Sequence, residues 1–385
     1  MDPTLAETLT RWRRHLHANP GLTLNEGATA AFVVEKLKEL GVTDIAEGVG
    51  GHGVVATLQR PGSNRSVGLR GDMDALPIEE AATNLPWRST VPNVMHACGH
   101  DGHTTALLGA AALLMRDEDW TGTVRLIFQP AEEGGGGAEA MIRDGLFQRF
   151  PMDRIFGWHN WPGLEAGTVA VHGGAVMAAG NRFQIAIEGH AGHAALPHLA
   201  RDPIVAAGHA IVACQSIVAR ALDPMDTGVV SLTVIEGGEA QNQIAARVLI
   251  KGSLRYLRDE VGEQIRDGLR RVAEGVSATF GVRAEAIIQS GVPATVNDPA
   301  QADVAAEAAA AVTAMRRDLG PAMTGEDFSH FLNIVPGAFV WIGNGSAEGG
   351  RELHNPNYDF NDAVLPAASG FLAEVARRSL VEEAK

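Results

Sequence analysis

At 385 residues the chain exceeds one ordinary domain, and 45% hydrophobic with 20% charged residues describes a globular protein with ample core. A formal net charge of −15 disfavours nucleic acid and anionic membrane surfaces as partners. Two cysteines, Cys98 and Cys214, exclude a disulfide framework and favour a reducing compartment. No signal-type apolar core follows Met1 and no unbroken apolar run reaches membrane-spanning length, so the expected location is the cytoplasm.

Leu5, Leu9, Trp12 and Leu16 recur at helical spacing after Pro3 and predict an amphipathic first helix. Its His15 and His17 read as structural residues rather than ligands. A second helix is expected from about Glu26 to Leu40, stopped by Gly41. Val54–Leu58 and Val67–Arg70 read as short buried strands, the second running into Gly71-Asp72-Met73-Asp74. Met95–Thr104 then packs three histidines, Cys98 and Asp101 around two glycines, on a loop entering the apolar helix Thr105–Met115. Asp101 or Thr104 is the expected cap of that helix. The strand Thr123–Phe128 ends in Gln-Pro-Ala-Glu132-Glu133 and four glycines, and the strand Arg154–Trp158 ends at His159.

This alternation predicts an α/β sheet domain with helices on both faces. From about Asn181 the texture changes to a β-α-β-β-α-β order, which predicts an inserted ferredoxin-like α+β domain. The expected boundaries are 1–180 and 293–385 for the catalytic domain and 181–292 for the insertion. After it come an Ala-rich helix, the strand Ala338–Ile342 and a glycine-bearing loop that delivers His354.

Ligands gather at the carboxyl ends of strands in such sheets, and Asp72, Asp74, Glu132, Glu133 and His159 each follow a predicted strand. Thiolate, imidazole and carboxylate suit zinc-like divalent ions, which makes Cys98, His100, Glu133, His159 and His354 candidate ligands. Five donors exceed what one tetrahedral ion needs, so two ions sharing a bridging group are expected. Two adjacent carboxylates cannot both point comfortably at one ion. One of Glu132 and Glu133 can ligate while the other acts as general base. Cys214, in an Ala/Val/Ile helical run, reads as a buried structural thiol.

Taken together these stretches resemble the M20 metallopeptidase-like amidohydrolases. The resemblance is to the branch containing hippurate hydrolases, indoleacetyl-amino-acid hydrolases and N-acetyl-diaminopimelate deacetylases. It rests on Arg14–Pro20, Gly71–Pro77, His96–His103, Phe128–Gly135, Gly157–His159, Gly192-His193, Asn242, Gly252–Arg255, Thr324–Phe328 and Leu353–Asn355, which run in order along nearly the whole chain. One departure is Gly21, where the family usually has an acidic residue. The resemblance implies that Cys98 bridges two metal ions, with His100, Glu133, His159 and His354 completing their shells. It implies that Glu132 is the base, and that Asp74 and Asp327 orient ligands. It implies a lid domain that also dimerises, a lid histidine (His193) that stabilises the oxyanion, and Asn242 and Arg255 as holders of the substrate's carbonyl and carboxylate.

The expected activity is hydrolysis of the amide bond of N-acyl amino acids. The expected cofactors are two divalent ions per subunit (zinc, manganese, cobalt or nickel), and the expected assembly is a homodimer or tetramer. A dipeptidase or aminopeptidase on the same fold is the rival enzyme reading, and a non-catalytic metal-binding protein the rival of another class. The resemblance leaves the acyl group and the role of His103 open.

Overall fold

The computed structural model describes residues 1–381 and divides into two compact units. The first comprises Met1–Val176, Val296–Gly320 and the chain from Asp327 onward; the second comprises Met177–Thr295 and Pro321–Glu326. The second unit therefore includes a short return segment just before Asp327 that lies outside the expected 181–292.

The first unit is built on an eight-stranded mixed sheet. Its spatial order is Asp44–Val49, Gly53–Arg60, Gly122–Gln129, Ser66–Asp72, Arg154–Pro162, Gly337–Gly345, Val169–Val171 and Met315–Arg316. The four central strands, from Gly122–Gln129 to Gly337–Gly345, run parallel, which places their carboxyl ends along one edge. Their residues are buried almost end to end, as a sheet covered on both faces requires. The helix His100–Arg116 is apolar all round and correspondingly buried, packing against the helices Pro3–Ala18 and Leu365–Leu380.

Two local expectations need correction. The strand beginning at Arg154 does not end before His159 but continues to Pro162, so His159 sits inside a strand with its ring on one face. The helix after Cys98 starts at His100, five residues earlier than its apolar run. Its N-cap is Gly99 at φ 91°, and neither Asp101 nor Thr104 caps it. Asp101 instead turns to His17, and the Thr104 hydroxyl donates to the carbonyl of Asp72 (2.7 Å). The Thr104 hydroxyl and one Asp101 oxygen are spent on these tertiary bonds, the other Asp101 oxygen accepts the adjacent Gly102 amide (2.9 Å), and the cap position falls to a glycine that tolerates left-handed backbone.

The N-terminal helix docks through charge as well as through Leu5, Leu9 and Leu16. Arg13 is buried and donates to Asp359 (2.8 Å) and Asp362 (2.6 Å), and its guanidinium lies 3.7 Å from Asp101. His17 donates from Nδ1 to Asp101 (2.8 Å) and faces Glu80 across 3.4 Å. Burial opposes a charge on His17, yet the bonds to Asp101 and Glu80 prevail and push its pKa up from 6.5 to about 9. A raised folded-state pKa stabilises fully below the unfolded value of 6.5, and the contribution disappears as pH rises through 9. The difference in melting temperature between wild type and His17→Gln is therefore expected to shrink between those pH values. A difference that stays constant with pH would refute the charged pair. His15 only stacks on Phe32 (4.7 Å).

The second unit carries a four-stranded antiparallel sheet in the order Gly228–Gly237, Arg247–Tyr256, Ala179–Glu188, Arg283–Ile288. With the helices Pro203–Ser216 and Asp259–Phe280 as its crossovers, this is the ferredoxin-like order expected from the sequence. Cys214 is buried in its core with Ala206, Ala207 and Ala210. By length and composition alone the helical stretch Pro203–Ala221, mean hydropathy 1.5, could cross a membrane; one face of it is packed in this core.

Candidate active site

The parallel strands end where the chemistry-bearing residues begin. Asp72 closes the strand Ser66–Asp72, and Asp74 lies two residues beyond it. Glu132 and Glu133 follow the strand Gly122–Gln129 in a tight turn, closed by the Gly134 amide donating to the Glu132 carbonyl (2.6 Å). Cys98 precedes the N-terminus of the helix at His100. His354 comes from the loop after the strand Gly337–Gly345, and its amide donates to the Ala97 carbonyl (2.8 Å).

Five side chains, from the last three of these segments and from the strand bearing His159, converge as two triads. Donor atoms of Cys98, His100 and His159 lie within 4.8 Å of one another, and so do those of Cys98, Glu133 and His354. Cys98 is common to both. Within them Cys98 Sγ is 3.3 Å from His159 Nε2, and His354 Nε2 is 3.1 Å from Glu133 Oε1. A third group, His100, Glu132 and Glu133, brings Glu132 to the same place.

The donor set fits divalent ions. His100 is fully buried, and its Nδ1 donates to the Asp74 carbonyl (2.9 Å), while its Nε2 has no hydrogen-bond partner among the described residues. His159 donates from Nδ1 to the Asn160 carbonyl (2.7 Å), so its Nε2 also faces the cluster as an acceptor. Such a bond on one ring nitrogen fixes the tautomer in which the other can ligate. Burial opposes a charge on His100, but Asp72 and Asp74 hold its pKa up to about 10. The two carboxylates thus favour positive charge at this ring. Burial, followed by the carboxylates of Glu133, Glu132 and Asp72, pushes the Cys98 thiol well above its ordinary range. A bound ion would invert that and deprotonate the thiol. Burial drives the His159 pKa well down, which keeps the ring neutral and ready to ligate.

Asp72 also approaches His100 Nε2 (3.7 Å), but its oxygens are already engaged. Arg70 donates to Oδ2 and the His103 Nδ1–H to Oδ1, each at 2.6 Å. Both ring nitrogens of His103 are thereby engaged, since its Nε2 accepts the Asn160 amide (3.0 Å). Its place is behind the ring of His159, 4.6 Å away between centroids.

Residues 68–378 match the peptidase family M20/M25/M40. The chain belongs to this family. It is 40% identical to the N-acetyl-L-cysteine deacetylase of Bacillus subtilis, over 98% of this chain and 89% of that protein. It is 40% identical to the hippurate hydrolase of Campylobacter jejuni, over 96% and 95% of the two chains. A crystal structure of a Bacillus subtilis protein described as a dinuclear metal binding peptidase of the M20 family superposes with a TM-score of 0.87. That pair is 35% identical, covering 98% of this chain and 99% of the other.

In this M20 chain Asp74 ties the His100 ring to the Glu132–Glu133 turn. Its Oδ1 lies 3.2 Å from His100 Nδ1 and accepts the Glu132 amide (3.1 Å), while Oδ2 accepts the Glu133 amide (3.0 Å). Asp327 is placed differently. It accepts from Gln129 (2.7 Å), Arg70 (3.2 Å) and the Ala138 amide (3.0 Å), pinning the chain on either side of the acidic turn.

The sequence reading overlooked Asn160 and Tyr358. The Asn160 side-chain amide donates to the Cys98 carbonyl (2.6 Å), and the Tyr358 hydroxyl donates to Asn160 Oδ1 (2.7 Å). These bonds fill the space beside Gly99, where a Cβ would come within 2.3 Å of Asn160 and 2.5 Å of Tyr358. Asn160 could have been suspected as the neighbour of His159, but nothing in the sequence around Tyr358 signals its part.

His193, Asn242 and Arg255 belong to the second unit. His193 is exposed in a two-residue strand opposite Gln243, and the next amide, Ala194, donates to the Asn242 carbonyl (2.9 Å), so these two stand together. Arg255 lies half-buried over Gly180 on the strand Arg247–Tyr256 and has no carboxylate partner among the described residues. Burial, then the nearby Arg182 charge, lowers its pKa, which marks a guanidinium lacking an anion.

Proposed function

We propose that this M20 protein is a dinuclear-metal amidohydrolase that cleaves N-acyl amino acids to a carboxylic acid and a free amino acid. One observation carries the reading: two donor triads share Cys98, with Glu132 beside them as a carboxylate beyond the five proposed ligands. Cys98, His100 and His159 would hold one ion and Cys98, Glu133 and His354 the other. Thiolate with imidazole favours zinc, and manganese, cobalt or nickel also suit such a set. Bound there, the ions would supply Lewis acidity, acidifying water and polarising the scissile carbonyl.

The protein's own groups do the rest. Glu132 takes the proton of the attacking water and returns it to the leaving amine. His193 donates to the oxyanion as it forms. Arg255, with its guanidinium fork unpaired, receives the substrate's free carboxylate, and Asn242 its carbonyl oxygen. Apoprotein reconstituted with each ion should hydrolyse members of an N-acyl amino-acid panel and leave dipeptides largely uncut. Preference for dipeptides would overturn the substrate class.

The same proposal includes a homodimer through the second unit and residence in the cytoplasm, where its two free cysteines would stay reduced. The strand Gly228–Gly237 is an edge, paired on one side only. Its adjacent Val234 and Ile235, which alternation sends to opposite faces, are both exposed. Ile204, Val205 and Val212 (73% exposed) extend the apolar surface along a helix of the same unit. An uncovered apolar edge of this kind is a pairing surface for a second copy. The double variant Val212→Asp, Ile235→Lys is expected to convert the dimer to monomer in light scattering. A wild-type monomer at micromolar concentration would refute it.

A further inference from the structure

The segment Gly21–Glu26 is fastened to the active site although no residue in it ligates or reacts. The Ala75 amide donates to the Gly21 carbonyl (2.8 Å), and Leu22 bridges Ala75 in parallel register. The Thr23 hydroxyl donates to Asp74 Oδ2 (2.8 Å). Glu26 is fully buried, and its Oε1 accepts two amides, those of Leu24 (2.8 Å) and Ala131 (2.9 Å). Oε2 has no partner among the described residues. Burial raises the Glu26 pKa above its ordinary value, against the pull of the amides that bond to it.

Three consecutive amides, Ala131, Glu132 and Glu133, thus end on two buried carboxyl groups, Glu26 and Asp74. The backbone they hold is under strain. Ala131 sits at φ 55°, a left-handed conformation that a residue with a Cβ rarely adopts. Such a turn persists only where its surroundings fix it.

We propose that Glu26 is a positioning residue, which with Thr23 makes the Gly21–Glu26 segment a strap that sets the Ala131–Glu133 turn and so aims the Glu132 carboxylate. This rests on the role given to Glu132 above. A misplacement of about 1 Å can cost on the order of 100-fold in rate, so loss of one strap bond should be visible in turnover.

The test uses metal-loaded protein and an N-acyl amino acid that wild type hydrolyses. Glu26→Ala is expected to lower kcat by about tenfold or more with KM and metal content unchanged. Hydrogen exchange of the Ala131–Glu133 amides should accelerate in the same variant. Glu26→Gln keeps the carbonyl acceptor and is expected to restore both kcat and protection. Thr23→Val removes the other leg alone, for an expected fall in kcat of about fivefold, the worth of one hydrogen bond. It decides the matter if Glu26→Ala does not fold. Unchanged kcat and exchange in Glu26→Ala, or in Thr23→Val where that variant decides, would overturn the strap. A Glu26→Gln loss equal to that of Glu26→Ala would overturn it too. If wild type hydrolyses no member of the panel, the functional reading fails instead, and the exchange measurement still judges the strap.

Discussion

Replacing Glu132 by glutamine is expected to lower kcat by about 10²–10⁴-fold, the usual worth of a positioned general base. Metal content should not change. The substitution is nearly isosteric, and the turn that carries the side chain is held through its backbone: the Glu132 and Glu133 amides bond to Asp74, whatever stands at the end of side chain 132. Glu133 keeps its place beside His354 and Cys98. A glutamine there still fills the space and accepts hydrogen bonds but takes up no proton. Single-turnover kinetics with metal analysis on the same sample provide the measurement. Retention of near wild-type turnover would show that another group handles the proton, and loss of metal would show that residue 132 ligates.

The contrast between Glu132 and Tyr358 shows what a sequence reveals of such a site. Metal donors are legible because few residue types qualify, and because the parallel strands concentrate them at one edge, just past apolar runs. Glu132 and Glu133 stand out as candidates in this way, Cys98 and His100 through the density of such groups in one loop, and the second unit's ferredoxin-like order follows from its β-α-β-β-α-β texture. His159 was legible as a donor though its strand was drawn too short, since Asn160, Trp161 and Pro162 look like the start of a loop. The helix start was misplaced because Asp101 and Thr104 have the chemistry of caps. Only the fold shows that His17 and the Asp72 carbonyl claim them first. Groups that act by holding a distant part of the chain are the hardest to read: Glu26, Asn160 and Tyr358 lie 105, 62 and 198 residues from the partners they hold. Nothing in the local pattern of a polar residue says which distant amide, carbonyl or side chain it will meet.

Cys98→Ala should have the broadest consequence of any single substitution here, because Cys98 alone belongs to both triads. Removing a donor that serves one ion leaves the other site intact. His354→Ala is accordingly expected to leave about one ion per chain bound, held by Cys98, His100 and His159, which match the three protein ligands usual at a catalytic zinc. Cys98→Ala leaves two donors on each side, His100 with His159 and Glu133 with His354, and removes the one soft ligand. Affinity for both ions should fall by more than the 10–100-fold typical of losing a mere supporting bond, and turnover should vanish with it. The protein itself should stay folded, since Cys98 lies at the helix start and its backbone carbonyl is held by Asn160, which Tyr358 in turn holds. Metal stoichiometry measured on dialysed wild type, His354→Ala and Cys98→Ala, with circular dichroism on each, separates the cases. Two ions retained by Cys98→Ala would exclude the sulfur as the shared ligand.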